Sequence, residues 1–513
     1  MKTFAAIDVG SYELSMKILE FSGKNKMREI DHVRHKIELG TETYTTGKLS
    51  YEKVDELCRI LREYADIMKS YKVDAYKAYG TSAIREMENT SIVLDQIAQR
   101  TGIVINVLSN SEQRFLDYKS IASKGKEFDR ILEKGTVIVD IGGGSIQVSL
   151  FEKGTLITTQ NLRLGVLRLH ERLGRINAKH SQIEELLSEI DDAQLSVLHK
   201  LYLKDKEIQN VILVDDYLSV WVKEKRENKE QSGYANAGQY SRFMDYLRTK
   251  STGEIAVHFG ISEENASLMF ISAVLLDRIL AMTGAGLIWA PGVTLCDGIA
   301  YEYAQQQNME ISEHDFEKDI LDCALNISKR YMGSRKRAET LESLTMTIFD
   351  STKKLHGLGK REKLYLRLAA ILHDCGKYIS LVNLGECSYQ IIMATEIIGI
   401  SHMEREMIAN VVKFNHEEFD YYEGWDRTSS LDKRAYLTVA KLTAILRIAN
   451  GLDRSHKQKF KDVKAAVKDR ELILTVNNKT DITLEKGLFE DRAQFFEEVF
   501  NVRPVIVQKR ISS

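Results

Sequence analysis

Two short stretches carry residue types suited to holding phosphate. "AAIDVGS" (5–11) and "VIVDIGG" (137–143) each end an apolar run in Asp-x-Gly, so Asp8 recurs as Asp140 and Gly10 as Gly142. The second copy runs on through Gly142, Gly143 and Gly144 to Ser145. A glycine run serves a tight hairpin, because glycine reaches positive φ without a Cβ clash. It also serves a ligand that must lie against bare backbone, and the ligand that clustered N–H groups favour is phosphate. Either use accounts for one such turn. Two of them in one chain point to two sets of N–H groups presented to one ligand.

The elements that would position these turns follow the same duplication. "TFAAIDVG" and "ELSMKILEF" read as strand, turn and strand, and the pattern begins again at 136. Between the copies lies an α/β rhythm. "SYEKVDELCRILREYADIMKS" (50–70) has helical spacing behind a Ser50 N-cap, and "LSNSEQRFLDY" (108–118) offers Ser109 and Glu112 as a capping box. Two halves that each open on strand, Asp-x-Gly and strand predict a duplicated α/β unit with a cleft between its lobes. The charged, then Gly/Asn-rich stretch 221–243 reads as a surface loop of the second lobe. Helical periodicity takes over from about 310 to 460. The tail returns to strands around "LFEDRAQFFEEVF", a small α+β piece.

Bulk properties set limits. A length of 513 residues calls for several domains. Lys and Arg number 72 against 74 Asp and Glu, a net charge of −2, so no global basic field advertises nucleic acid. Five scattered cysteines without a CxxC pair fit free thiols in a reducing compartment. The opening run is too short for a signal peptide and no later run reads as a membrane span, so a cytoplasmic protein without membrane contact is expected.

The order of five motifs then resembles a family. "IDVGSYELSMKIL" (7–19), "YGTSAIREMEN" (79–89), "LSNSEQRFLDY" (108–118), "VDIGGGSIQVSLF" (139–151) and "LRLGVLRL" (162–169) follow one another as in exopolyphosphatases and guanosine pentaphosphate phosphohydrolases. The resemblance implies the two-lobed fold of actin, Hsp70 and the sugar kinases, a duplicated ribonuclease H-like α/β architecture, with lobes at 1–128 and 129–310. It extends to "LRLAAILHDCGKYIS" (365–380), which looks like the all-α HD-type domain of long members (311–460), ahead of a small α+β domain (461–513).

The implied activity is Mg²⁺-dependent (or Mn²⁺-dependent) hydrolysis of terminal phosphoanhydride bonds. The implied substrate is inorganic polyphosphate, or guanosine pentaphosphate as the alternative. A homodimer is expected. Asp8 and Asp140 would hold the metal, because hard cations choose carboxylate oxygen. Gly10, Ser11, Gly142, Gly143, Gly144 and Ser145 would cradle phosphate, and Arg85 would fork onto it. Glu112 would act as general base on water.

Several positions depart from the family pattern. Tyr12 and Glu13 replace an Asn and a Ser, Ile146 and Gln147 replace a Thr and a Glu, and Asp215 and Asp216 stand where a glycine-rich loop is usual. These substitutions suggest a binding protein of weakened turnover as a rival reading. In the helical region His373 and Asp374 are present, but Arg337 stands at the first His and Asn450 at the last Asp, with His416 as a spare ligand. On that pattern His373 and Asp374 are expected to satisfy each other in a helix core. Basic clusters at 334–337, 353–362 and 454–461 read as solvated helix surface, or as a track for a linear polyanion.

Overall fold

Lys2–Val9 (β1) and Glu13–Ser22 (β2) form an antiparallel hairpin around the first Asp-x-Gly turn, and Lys26–Lys36 (β3) pairs with β2. Ala75–Gly80 (β4) and Ile105–Val107 (β5) run parallel to β1, giving the order β3-β2-β1-β4-β5. The second sheet repeats this plan. Thr136–Ile141 (β6), Ile146–Glu152 (β7) and Thr155–Leu162 (β8) make the antiparallel part. Asn210–Asp215 (β9), Tyr234–Asn236 (β10) and Leu287–Trp289 (β11) complete it in the order β10-β11-β9-β6-β7-β8, with β9 parallel to β6 and to β11. Laying β8-β7-β6-β9-β11 on β3-β2-β1-β4-β5 matches every pairing direction, so the duplication expected from the repeated turn is present. This computed structural model describes residues 2–509 apart from 24–25, 178–179, 216, 219–220, 222–232, 310–313, 423–428, 430, 461–462 and 478–480.

The central strands β1 and β6 are apolar along most of their length because both faces are covered. On one face of the first sheet lies the helix Tyr51–Ser70, whose start is fixed by Ser50 Oγ accepting from the Lys53 N–H. It buries Leu57, Leu61 and Tyr64, and the Tyr64 hydroxyl donates to the Leu14 carbonyl at 2.9 Å. On the other face lies Leu295–Gln306, whose Cys296 Sγ donates to the Ala6 carbonyl at 3.4 Å, beside Leu116 of the helix Asn110–Ala122. The core of the second lobe is built around Glu263–Thr283.

That helix corrects one expectation. With 21 residues, and a mean hydropathy of 1.7 over its most apolar 18-residue stretch, it is long and apolar enough to cross a membrane, although most of that stretch is buried in the lobe's core. The loop expected over 221–243 is corrected too. Residues 222–232 lie outside the described residues, but Tyr234–Asn236 is a strand paired with Leu287–Trp289. Asn236 and Gln239 then form a capping box that starts the helix Ala237–Thr249.

The chain divides into two compact units, Met1–Phe316 and Glu317–Ser513. The second unit is helical through Lys433–Leu452, as the periodicity predicts. It closes with Val463–Lys468 (β12), Glu471–Asn477 (β13) and Arg503–Lys509 (β14), the last two parallel across the helix Thr483–Phe500.

Candidate active site

The two Asp-x-Gly turns close the same way. The Gly10 N–H donates to the Glu13 carbonyl at 3.1 Å, and the Gly142 N–H to the Ser145 carbonyl at 3.0 Å. Between them opens a cavity of about 300 Å³ lined by Asp8, Gly10 and Ser11 from the first turn and Asp140, Gly142 and Gly143 from the second. Six of the predicted residues, separated by more than 125 positions, therefore meet at one cavity. The arrangement follows from topology: both turns sit at the ends of the central strands of their sheets.

Gly144, Ser145, Arg85 and Glu112 are not among the lining residues. For Gly144 the reason is packing. A Cβ there would come within 2.5 Å of the Tyr44 hydroxyl and 2.7 Å of Ser82 Oγ. Tyr44 and Ser82 form a hydroxyl triangle with Ser11, with sides of 2.8, 3.0 and 3.1 Å. Part of the glycine run thus serves close approach of the backbone to the first lobe. Arg85 donates from Nη1 to the Leu108 carbonyl at 2.6 Å, holding the loop that leads to Ser109. Glu112 forms the capping box with Ser109: its Oε2 accepts from the Ser109 N–H at 2.9 Å, and Ser109 Oγ accepts from the Glu112 N–H at 3.3 Å. From the same helix, Gln113 and Asp117 reach the cavity instead. Their i, i+4 spacing, which puts them on one helix face, is the signal that would have found them.

Five carboxylates line the cavity, those of Asp8, Glu13, Asp117, Asp140 and Asp215. Arg34 is the one Lys or Arg side chain among the described lining residues. Asp215, one of the two acids that stand where a glycine-rich loop is usual, lines the cavity. Its carboxylate accepts from the Leu218 N–H at 2.7 Å and from the Ser272 hydroxyl, so it is held by the segment that follows β9 and by the helix Glu263–Thr283. Asp216 lies outside the described residues. Arg168, on the helix Val166–Arg175, joins the lobes beside the glycine turn: it donates to the Gly144 carbonyl at 3.1 Å, pairs with Glu86 at 2.5 Å and covers the Tyr44 ring at 4.6 Å. Burial raises the Tyr44 phenol above its usual range, which keeps it a neutral partner in the hydroxyl triangle.

The second unit gathers the other predicted residues. His373 is fully buried, its Nδ1 donating to the Ala370 carbonyl at 2.8 Å, while His416 Nε2 donates to the His373 carbonyl at 2.7 Å. Burial lowers both imidazoles, His416 to about 4. His373 and Asp374 do not satisfy each other as expected. They stand 3.7 Å apart, and Asp374 takes Lys377 at 3.0 Å. Arg337 is buried, donating to Asn450 Oδ1 at 3.1 Å and His456 Nδ1 at 3.0 Å, with Asp374 at 3.9 Å and Asp453 at 4.0 Å. A guanidinium therefore neutralises the acids of this cluster. The basic clusters are not one uninterrupted positive face either, since Arg361 pairs with Glu404 and Lys459 with Glu485. Among the described residues no three of His, Cys, Asp and Glu converge to hold a metal ion.

Residues 20–306 match the model of the Ppx/GppA phosphatase family, and residues 322–493 match that of the Ppx/GppA phosphatase domain III. The chain belongs to the Ppx/GppA phosphatase family. A guanosine-5'-triphosphate,3'-diphosphate pyrophosphatase of Vibrio atlanticus is 20% identical over 458 residues, 86% of each chain. A bifunctional 3-dehydroquinate synthase/phosphatase of Fusobacterium nucleatum is 24% identical over 258 residues, 43% of this chain and 38% of that protein. The crystal structure of an exopolyphosphatase from Cytophaga hutchinsonii superimposes with a TM-score of 0.53 at 17% identity, covering 61% of this chain and all of that one. That likeness shows the two-lobed fold, in agreement with the repeated sheet order.

Proposed function

We propose that this Ppx/GppA protein hydrolyses the terminal phosphoanhydride bond of inorganic polyphosphate and releases orthophosphate. The observation that carries the reading is the cavity at which both Asp-x-Gly turns meet. Its acidity supports a role for Mg²⁺ or Mn²⁺. Five carboxylates would repel a polyanion unless a divalent cation stood between them, and Mg²⁺ is held by one or two carboxylates together with substrate phosphates and water. Asp8 and Asp140 fit that requirement, one from each lobe. The ion would neutralise charge on the phosphoryl oxygens. Ser11 and Gly143 would receive the terminal phosphoryl group by backbone N–H and hydroxyl, while Gly10 and Gly142, whose N–H groups close the two turns, would let it lie against bare backbone. Gly144, Ser145 and Arg85 would support that cradle from behind.

Glu112 would be the general base. The Ser109 N–H fixes one of its carboxylate oxygens, so the other can take a proton from water, and Gln113 beside it already borders the cavity. In the second unit the HD-like cluster would be a metal-free relic, neutralised by Arg337. A cytoplasmic homodimer completes the proposal.

A second reading, removal of the 5′ γ-phosphate of guanosine pentaphosphate, is favoured by the relative from Vibrio atlanticus, which matches along 86% of the chain. Orthophosphate release from long-chain polyphosphate and from guanosine pentaphosphate, each with Mg²⁺ and with chelator, separates the two. Glu112→Gln should lower release from the true substrate at least about a hundredfold. Turnover unchanged by the substitution would remove Glu112 from the mechanism. Tight polyphosphate binding without release would leave a binding protein.

A further inference from the structure

Asp8 on β1 lies directly opposite Ser15 on β2, and Ser15 lies directly opposite Arg34 on β3. Opposed residues of paired strands share a face. The three therefore form a row across the sheet, and all three line the cavity. Two residues before Arg34 on the same strand, His32 Nε2 meets Ser15 Oγ at 2.8 Å and accepts from Arg34 Nε at 3.1 Å. The matching row of the second lobe is Asp140, Gln147 and Asn161, with no charge at its third position. Among the described residues, only the first lobe brings a guanidinium to the cavity along such a row.

We propose that Arg34 is a substrate-binding residue that forks onto a phosphoryl group of the polyanion within the cavity, and that His32 is its positioning residue. The inference rests on the phosphoanhydride reading above. Against five carboxylates, an anion needs a partner that stays charged and offers paired donors, and a guanidinium does both. With Nε committed to His32, the two terminal amino groups would serve the ligand, Nη1 by exchanging its ion pair with Glu13 Oε1, 3.6 Å away, for a phosphoryl oxygen. A Lys at this place would keep the charge but lose the Nε–H that His32 receives. His32 is suited to accept it because burial, then the charges of Arg34 and Lys17, hold its imidazole at about 4, leaving it neutral.

The test is steady-state orthophosphate release from polyphosphate with Mg²⁺, using the full chain and Arg34→Gln, Arg34→Lys, His32→Leu and His32→Gln. Arg34→Gln should raise KM at least about tenfold, the loss of a charge-assisted hydrogen bond, while kcat falls much less. Arg34→Lys should recover only part of that affinity. His32→Leu should raise KM in the same direction, and His32→Gln, whose amide oxygen still accepts from Arg34, should restore it. A KM for Arg34→Gln within twofold of wild type, at unchanged melting temperature, overturns the inference. If Arg34→Gln does not fold, a wild-type KM in Arg34→Lys overturns the fork in its place. A normal KM in His32→Leu overturns the positioning role alone. Absence of release from any phosphoanhydride by the wild type overturns the underlying reading, and the inference with it.

Discussion

Gly165→Ala isolates the packing of the glycine turn from its chemistry. Gly165 caps the helix Val166–Arg175 at φ −67° and ψ 149°, a conformation that alanine adopts freely, so any cost comes from space. The added Cβ would lie 2.1 Å from Gly144 C, 2.2 Å from Gly143 O and 2.3 Å from Ser145 N. All three atoms are backbone. The turn cannot withdraw without loosening the bonds from the Val166 and Leu167 N–H groups to the Gly142 and Gly143 carbonyls, each 3.0 Å. Overpacking costs roughly 1–3 kcal/mol and each weakened hydrogen bond about 1 kcal/mol, for a total of about 3–5 kcal/mol. At about 2 °C per kcal/mol for a unit of this size, the melting temperature should fall by about 6–10 °C. Displacement of Gly142 and Gly143 by even about 1 Å should cost orthophosphate release on the order of a hundredfold in the protein that remains folded. Gly174→Ala is the control. It lies in the same helix with nothing within 4 Å of its Cβ, and should gain about 0.5–1 kcal/mol. Melting within about 2 °C of wild type together with normal turnover in Gly165→Ala would refute the close packing of turn and helix.

Arg337→Met should destabilise the second unit by about 3 kcal/mol in urea unfolding, because Asp374 and Asp453 are buried around the guanidinium it removes. An unchanged midpoint would show that Lys377 alone suffices. Stability should also fall on acidification. His416 titrates at about 4 in the folded chain against about 6.5 when unfolded, so the unfolded chain takes up its proton first. The contribution is fully present above pH 6.5 and is lost as pH falls to about 4; buried His373 acts in the same direction. His416→Gln should flatten that part of the pH–stability curve measured by urea unfolding, and a slope identical to wild type would refute the assignment.

The features legible in the sequence are those set within a few residues. The starts of Tyr51–Ser70 and Asn110–Ala122 follow from Ser50, Ser109 and Glu112, because an N-cap is a contact over three residues. The second lobe was legible as a repeat, since a strand covered on both faces must be apolar and its turn must bend after Asp-x-Gly. The loop expected over 221–243 failed at Tyr234–Asn236, where pairing with β11 some fifty residues later overrides a polar composition.

By itself the sequence determined that two Asp-x-Gly turns end two equivalent strands, and that the motif order is that of a phosphatase family. Tertiary structure alone decided which further side chains join Asp8, Ser11 and Asp140 at the cavity. Arg34 reaches it through register with Ser15 and Asp8, and strand register is a property of paired chains rather than of any one segment. It also divided the glycines: Gly142 and Gly143 line the cavity, while Gly144 and Gly165 make room for backbone and hydroxyls arriving from distant parts of the chain. Spacing along a chain records local geometry. The contents of a cleft depend on how separate elements meet, which no single stretch encodes.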